Sequence, residues 1–273
     1  MRALSAAVFL VLLAGAARAG DPPSLFTGDP AAVVALVTGS VQAGPADGKR
    51  RSLGSGDKVY SGDTIYVGAN SYANLRFRDG GRVLLRPDTE FTVEDFQYRG
   101  ADDEGNKVPE SVHDVPDEDT QAAQLGAPPP KVPAGLGHAF FHLARGGFRA
   151  ISGLLGKADA RDYRVSTPVA TIGIRGTDYE VLLCEGDCPI TTAAPARPAS
   201  SEKAGAGDAP PKPEQGAIVS VHQGSIAVRG SRGTFQVDVG QYMVAMGDGQ
   251  TYVLPVPPDT LLINPTPNPK SCP

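Results

Sequence analysis

Ala73-Asn74-Leu75-Arg76-Phe77-Arg78-Asp79-Gly80-Gly81-Arg82-Val83-Leu84-Leu85-Arg86 decides the fold class. Ala73, Leu75 and Phe77 alternate with Asn74, Arg76 and Arg78, the period of a half-buried strand. Asp79-Gly80-Gly81 interrupts the alternation, and Val83 and Leu85 resume it among Arg82, Leu84 and Arg86. Two strands joined by a Gly-rich turn make a hairpin. A two-residue Gly80-Gly81 loop would set Arg76 opposite Leu85 and Phe77 opposite Leu84, mixing charge into the apolar face. A three-residue Asp79-Gly80-Gly81 loop sets Phe77 opposite Val83 and Leu75 opposite Leu85. The pattern selects the longer loop because its apolar face is continuous. Gly81 supplies the left-handed residue that ends such loops.

In that register Arg78 faces Arg82, with Arg76 and Arg86 on the same side. Like charges directly opposed cost stability. The favoured explanation is that they are solvated, or offset by an acidic neighbour such as Asp88 or Glu90, since exposed charge pairs are weak. The sharper one makes Arg76, Arg78, Arg82 and Arg86 an anion-binding face for an acidic partner or an envelope polymer. These four are the candidate partner-binding residues.

The same alternation, broken by Gly and Asp, runs through residues 35–99 and returns at 216–247. Just upstream of the hairpin, Gly56-Asp57-Lys58-Val59-Tyr60-Ser61 is followed directly by Gly62-Asp63-Thr64-Ile65-Tyr66-Val67. Two copies favour a turn role for each Asp, through a bond to nearby backbone. A calcium repeat needs more oxygen ligands than these supply. The chain has 33 Gly and 25 Pro among 273 residues, about a fifth against a usual ~12%. That excludes a long helical bundle. The net charge of −5 argues against a nucleic-acid binder, which carries a basic surface.

Residues 100–135 hold Asp102, Asp103, Glu104, Glu110, Asp114, Asp117, Glu118 and Asp119 against Lys107 and Lys131. They read as a disordered acidic insertion carrying most of the net charge. Residues 191–215, rich in Ala, Pro and Ser, read as a second one. Residues 1–19 read as a secretory signal peptide. Arg2 starts it, Leu4 to Leu13 is its apolar run, and Ala17-Arg18-Ala19 sets cleavage after Ala19. The run is too short to span a bilayer. Residues 20–34 form a leader, and 248–273 a Pro-rich, extended tail. An exported protein can hold disulfides. Cys184 and Cys188 are the candidate pair, preferred over a metal site because no His lies close by in sequence. Cys272 is left over.

The segment Val165-Ser166-Thr167-Pro168-Val169-Ala170-Thr171-Ile172-Gly173-Ile174-Arg175-Gly176-Thr177-Asp178-Tyr179-Glu180-Val181 resembles the signature of the FecR domain: Thr-Pro, Ala, Gly, then Arg-Gly-Thr, an aromatic and an apolar strand. Gly54 to Phe91, and Val219 to Val228 followed by Val239-Gly240-Gln241, resemble its opening and closing strands. The resemblance covers roughly 35–247, apart from the two insertions. It implies a β domain of the cell envelope that works through a protein partner. FecR-like sensors of iron uptake couple an outer-membrane receptor to a sigma factor through a spanning helix. This chain departs from that plan, with a cleavable signal and no spanning helix. Independently of the family, Pro168 suits an inter-strand bend, and Gly173 and Gly176 suit a turn or bulge with close backbone approach. Thr177 is placed to bond back to the turn. Arg175 is read as a brace donating to several carbonyls, with a ligand-binding role as the rival.

No enzyme signature emerges. His138 and His142 would share a face of a helix over 137–156, but Ala139 stands where a zincin needs Glu. No nucleophile elbow is present, and the acidic insertion offers no rigid frame for acid–base chemistry. No catalytic, cofactor or metal residue is assigned. The expectation is a mostly-β, antiparallel, sandwich-like domain with short hairpins, a minor helix near 137–156 and two disordered insertions. It is a non-enzymatic periplasmic binding or sensor domain. The competing readings are a polysaccharide- or peptidoglycan-binding module and, ranked lower, a metal-dependent hydrolase.

Overall fold

The computed structural model describes residues 28–100, 135–174, 176–186, 188, 194–195, 215–263 and 266–271. The strands are β1 (Ala32–Thr38), β2 (Val41–Gly44), β3 (Arg51–Ser52), β4 (Lys58–Val59), β5 (Thr64–Val67), β6 (Tyr72–Phe77), β7 (Arg82–Leu85) and β8 (Glu90–Tyr98). There follow β9 (Gly137–Arg145), β10 (Gly147–Ile151), β11 (Tyr163–Ser166), β12 (Thr171–Ile174), β13 (Asp178–Cys184) and β14 (Ala194–Pro195). The last are β15 (Gly216–Gln223), β16 (Ser225–Gly230), β17 (Gly233–Asp238), β18 (Tyr242–Met246) and β19 (Thr251–Leu254). Two short helices complete the set, α1 (Leu154–Ala158) and α2 (Asp259–Ile263).

The strands form two sheets, one of ten in the order β14-β19-β18-β15-β13-β10-β7-β6-β1-β4 and one of nine in the order β17-β16-β12-β11-β9-β8-β5-β2-β3. Every pairing is antiparallel except β9 with β11. Both orders nearly follow chain order, so the chain winds along the sandwich, crossing repeatedly between sheets. The inward residues of each strand meet across the gap. Phe77 packs on Phe141 with ring centroids 5.1 Å apart, and Phe91 on Phe148 at 5.4 Å. Offset and edge-to-face contacts of this kind add to plain area burial. The buried Tyr163 and Tyr179 hydroxyls meet at 3.3 Å, each satisfying the other.

The β6–β7 hairpin forms, in a different register. Leu75 faces Val83, Ala73 faces Leu85 and Arg76 faces Arg82. The Phe77 amide donates to the Gly81 carbonyl, so the turn is Arg78-Asp79-Gly80, with Gly80 rather than Gly81 at positive φ (85°). The expected and observed registers differ by two residues, and both keep the apolar face intact. What breaks the tie is Asp79. Its carboxylate accepts from the Gly81 amide (3.0 Å) and the Leu155 amide (3.3 Å), and its carbonyl accepts from Leu154. The hairpin turn thereby caps the first turn of α1. Gly153 makes room for this, since a Cβ there would stand 2.4 Å from the Asp79 side chain.

Residues 137–151 are not helical. Ala139, Phe141 and Leu143 are buried and alternate with His138, Phe140 and His142, a period of two. The segment is the β9–β10 hairpin, turned at Gly146 (φ 77°), with α1 following only at Leu154. β1 begins inside the segment read as a leader. The segment read as an extended tail contains β19 and α2. Residues 1–27, 101–134, most of 191–215, Arg175 and Cys272 lie outside the described residues, and with them the signal peptide, the bulk of both insertions and the proposed brace. Among the described residues no helix is long and apolar enough to cross a membrane.

Candidate functional site

Alternation leaves a second set of side chains on the outer face of the ten-stranded sheet. Asn74 and Arg76 come from β6, Arg82 from β7 and Arg86 from just beyond it, Arg149 from β10, and Asp178 and Glu180 from β13. Arg86 Nη1 donates to Glu180 Oε1 at 2.9 Å and to Thr266 Oγ1 at 2.7 Å. Both members of this ion pair are buried. The Thr266 hydroxyl in turn donates to Glu180 Oε1, and His222 Nε2 lies 3.7 Å from Glu180 Oε2. Burial pushes the Glu180 carboxyl up, but the approach of His222, the Thr266 hydroxyl and the Arg86 charge outweigh it and hold the carboxyl below its ordinary value. Beside it Arg149 grips both oxygens of Asp178, at 2.9 and 2.8 Å, the planar fork geometry that Arg supplies and Lys does not.

Residues 258–263 and 266–271 lie across this face as a strap. Leu261 of α2 seats in a small apolar patch of Cys184, Ile218, Val244, Met246, Tyr252 and Leu254. Farther on, Asn74 Nδ2 donates to the Pro269 carbonyl at 3.0 Å. Arg82 Nη1 approaches the same carbonyl at 3.5 Å, and Arg149 Nη1 the Thr266 carbonyl at 3.4 Å. Thr266 and Pro269 are buried.

The four arginines singled out from sequence thus have three different fates. Arg86 is a buried ion-pair member and presents no charge to a partner. Arg78 pairs with Asp29 at 3.2 Å. The offsetting acids are therefore Glu180 and Asp29, not Asp88 or Glu90. Arg76 and Arg82 remain, directly opposed across the β6–β7 pair and half-buried, with no ion pair to any described residue. Sequence reasoning missed Arg149, Asp178, Glu180, Asn74 and Thr266. One signal was there: Asp178 and Glu180 sit two apart in an otherwise apolar strand, which puts both carboxylates on one face of it.

Elsewhere the structure places the remaining candidates. Cys184 and Cys188 are joined by a disulfide. Thr167-Pro168-Val169-Ala170 is the turn between β11 and β12, closed by the Thr167 amide on the Ala170 carbonyl (2.9 Å) and by the Thr167 hydroxyl, which accepts from the Ala170 amide (3.0 Å). Gly176 turns the chain at φ 66°. Gly173 lies within β12, where an added Cβ would meet nothing closer than 3.8 Å, so no close approach calls for glycine there. The Thr177 hydroxyl finds no hydrogen-bond partner among the described residues. Its amide is the group used, donating to Ser152 Oγ at 2.8 Å. Asp57 and Asp63 are both turn residues, accepting from the Gly54 and Tyr60 amides at 2.7 and 2.9 Å. His138 bonds Asp95 (2.7 Å) and stacks on Phe140, while His142 bonds Ser166 (2.9 Å). Among the described residues no group of three or more His, Cys, Asp or Glu side chains is arranged to hold a metal.

The chain matches no protein-family model, and no curated protein matches it in sequence. Among solved structures it resembles two crystal structures, at 1.65 and 2.50 Å resolution, of a candidate anti-sigma factor from Parabacteroides distasonis. Each has a TM-score of 0.38 and 11% identity, over 70% of this chain and 58% of that one. The chain therefore spans less than two thirds of the length of the protein it resembles.

Proposed function

We propose that this chain is a non-enzymatic binding or sensor domain of the cell envelope, exported by its first 19 residues, that acts through a protein partner in signalling or envelope organisation. The observation that carries the reading is the Arg76–Arg82 pair. Arg78, Arg86 and Arg149 each have a carboxylate partner. Arg76 and Arg82 face one another across the β6–β7 pair without one among the described residues. Opposed like charges destabilise a sheet, and an acidic group brought by a partner relieves exactly that repulsion. The FecR-like motif around Thr167 and Gly176 supports the same assignment.

The test is photocrosslinking in cells from positions 76 and 82, one at a time. A discrete adduct removed by protease is expected. A diffuse adduct collapsed by glycan-degrading enzymes would overturn the protein-partner reading in favour of a polysaccharide-binding module. No adduct from either position would remove this face from the function.

A further inference from the structure

We infer that the outer face of the ten-stranded sheet is a docking face for a peptide carrying alternate prolines, and that residues 266–271 of the chain occupy it as a built-in competitor. The inference rests on the partner-binding reading of the Arg76–Arg82 face and gives that partner a chemistry. The strap lies across the strands, so it cannot join the ladder of hydrogen bonds within the sheet. Any buried N–H on it would be stranded at a cost. The buried Pro269 has none to strand. What the strap offers instead is carbonyl oxygens, and the sheet meets them with donors. Arg149 on β10 takes the Thr266 carbonyl, and Asn74 on β6 takes the Pro269 carbonyl.

The spacing agrees. β10, β7 and β6 are neighbours, so the two donors stand two strand separations apart, roughly 9.6 Å. Thr266-Pro267-Asn268-Pro269, followed by a turn in which the Ser271 amide donates to the Asn268 carbonyl, presents its first and fourth carbonyls to donors on alternate strands. Arg82 reaches the Pro269 carbonyl, and its cross-strand neighbour Arg76 makes no described hydrogen bond. The occupied face therefore runs directly into two arginines that have no carboxylate partner among the described residues. An outside peptide of this class, followed by an acidic residue, would fill both. A competitor seated 99% of the time weakens the apparent affinity for such a peptide about 100-fold.

The probe is the fluorescein-labelled hexapeptide Thr-Pro-Asn-Pro-Lys-Ser, titrated by anisotropy against the full-length exported protein. Wild type is expected to bind weakly. A full-length variant with the strap loosened by Leu261→Ala and Thr266→Val should bind at least about tenfold more tightly. Adding Asn74→Ala and Arg82→Ser should abolish the gain, and a peptide with both prolines replaced by glycine should bind less well. Equal binding to wild type and the loosened variant, or a gain that survives Asn74→Ala and Arg82→Ser, overturns the inference. Should the loosened variant fail to fold, hydrogen exchange on wild type decides. Millimolar peptide should speed exchange of the Leu261 and Leu262 amides, which bond the Pro258 carbonyl, while the interior strands stay protected. No change there also overturns it. Crosslinks from position 76 to a protein, with no peptide binding, would refute the peptide chemistry and leave the partner reading standing. Peptide binding with no crosslink in cells would do the reverse.

Discussion

Between the sheets, Phe77, Phe91, Phe141 and Phe148 meet in a chain of rings 5.1 to 5.4 Å apart, and the surrounding core is apolar on both sides. On the outer face of the ten-stranded sheet, the contacts are an Arg–Glu pair, an Arg–Asp fork and donors to the strap's carbonyls. The interior is stabilised by area removed from water, which depends little on direction. The strapped face depends on direction throughout: each donor works only while its acceptor stays. The first region tolerates change of sequence that keeps volume and pattern. The second ties the strap to the sheet, since Thr266 completes the Arg86–Glu180 network and Leu261 fills the apolar patch.

The comparison breaks most visibly in the interior. Phe141 touches Phe77, Phe91 and Tyr163 and is buried. Phe141→Ala should cost about 3–5 kcal/mol, the usual range for a large core ring. Urea unfolding followed by far-ultraviolet circular dichroism measures it. A cost below about 1 kcal/mol would mean that the two sheets do not share one core.

On the outer face the cost should depend on how the change is made. Arg86→Met strands a buried carboxylate and should cost about 3 kcal/mol. Arg86→Met combined with Glu180→Leu removes both charges and should cost less than the single change, because apolar pairs often replace buried ion pairs without loss. A double variant weaker than the single one would show that the network does more than offset its own burial.

The two regions were not equally legible. Alternation in residues 73–85 and 137–151 marks which side chains point inward, because a strand's period is two whatever its surroundings. It does not choose between registers two residues apart, and so it allows Leu75 opposite Leu85 where the sheet pairs it with Val83. Nor did it prevent 137–156 from reading as a helix, where the His138–His142 spacing suits both periods. The outer face was legible only in fragments. Arg86 finds Glu180 94 residues away and Thr266 180 residues away. Asp79 caps a helix 76 residues later. Such pairs are set by which strands become neighbours, and local pattern does not contain strand order. The short-range features read better: Asp57, Asp63 and the Thr167-Pro168 turn all bond within three residues.

The finest test contrasts two buried carboxyls. Glu180 on the outer face is held below its ordinary value by His222, Thr266 and Arg86, against the pull of burial. Its contribution to stability is complete above the unfolded value of about 4.3 and lost as pH falls through the lower folded value. Asp79, beneath the hairpin turn, is pushed up by burial, only partly offset by the Gly81 and Leu155 amides. Its folded form binds protons more readily than the unfolded one, so its contribution is largest below about 3.9 and declines as pH rises through the folded value. In urea midpoints collected from acid to neutral pH, Glu180→Gln should flatten the acid-side loss. Asp79→Asn should lower the baseline, since its amide group cannot accept from both backbone donors, yet flatten the decline above about pH 4. These are the smallest effects expected, and they have opposite signs. If Asp79→Asn steepens that decline instead, the carboxylate is stabilised by its two amides more than burial opposes it, and the turn is held by charge after all.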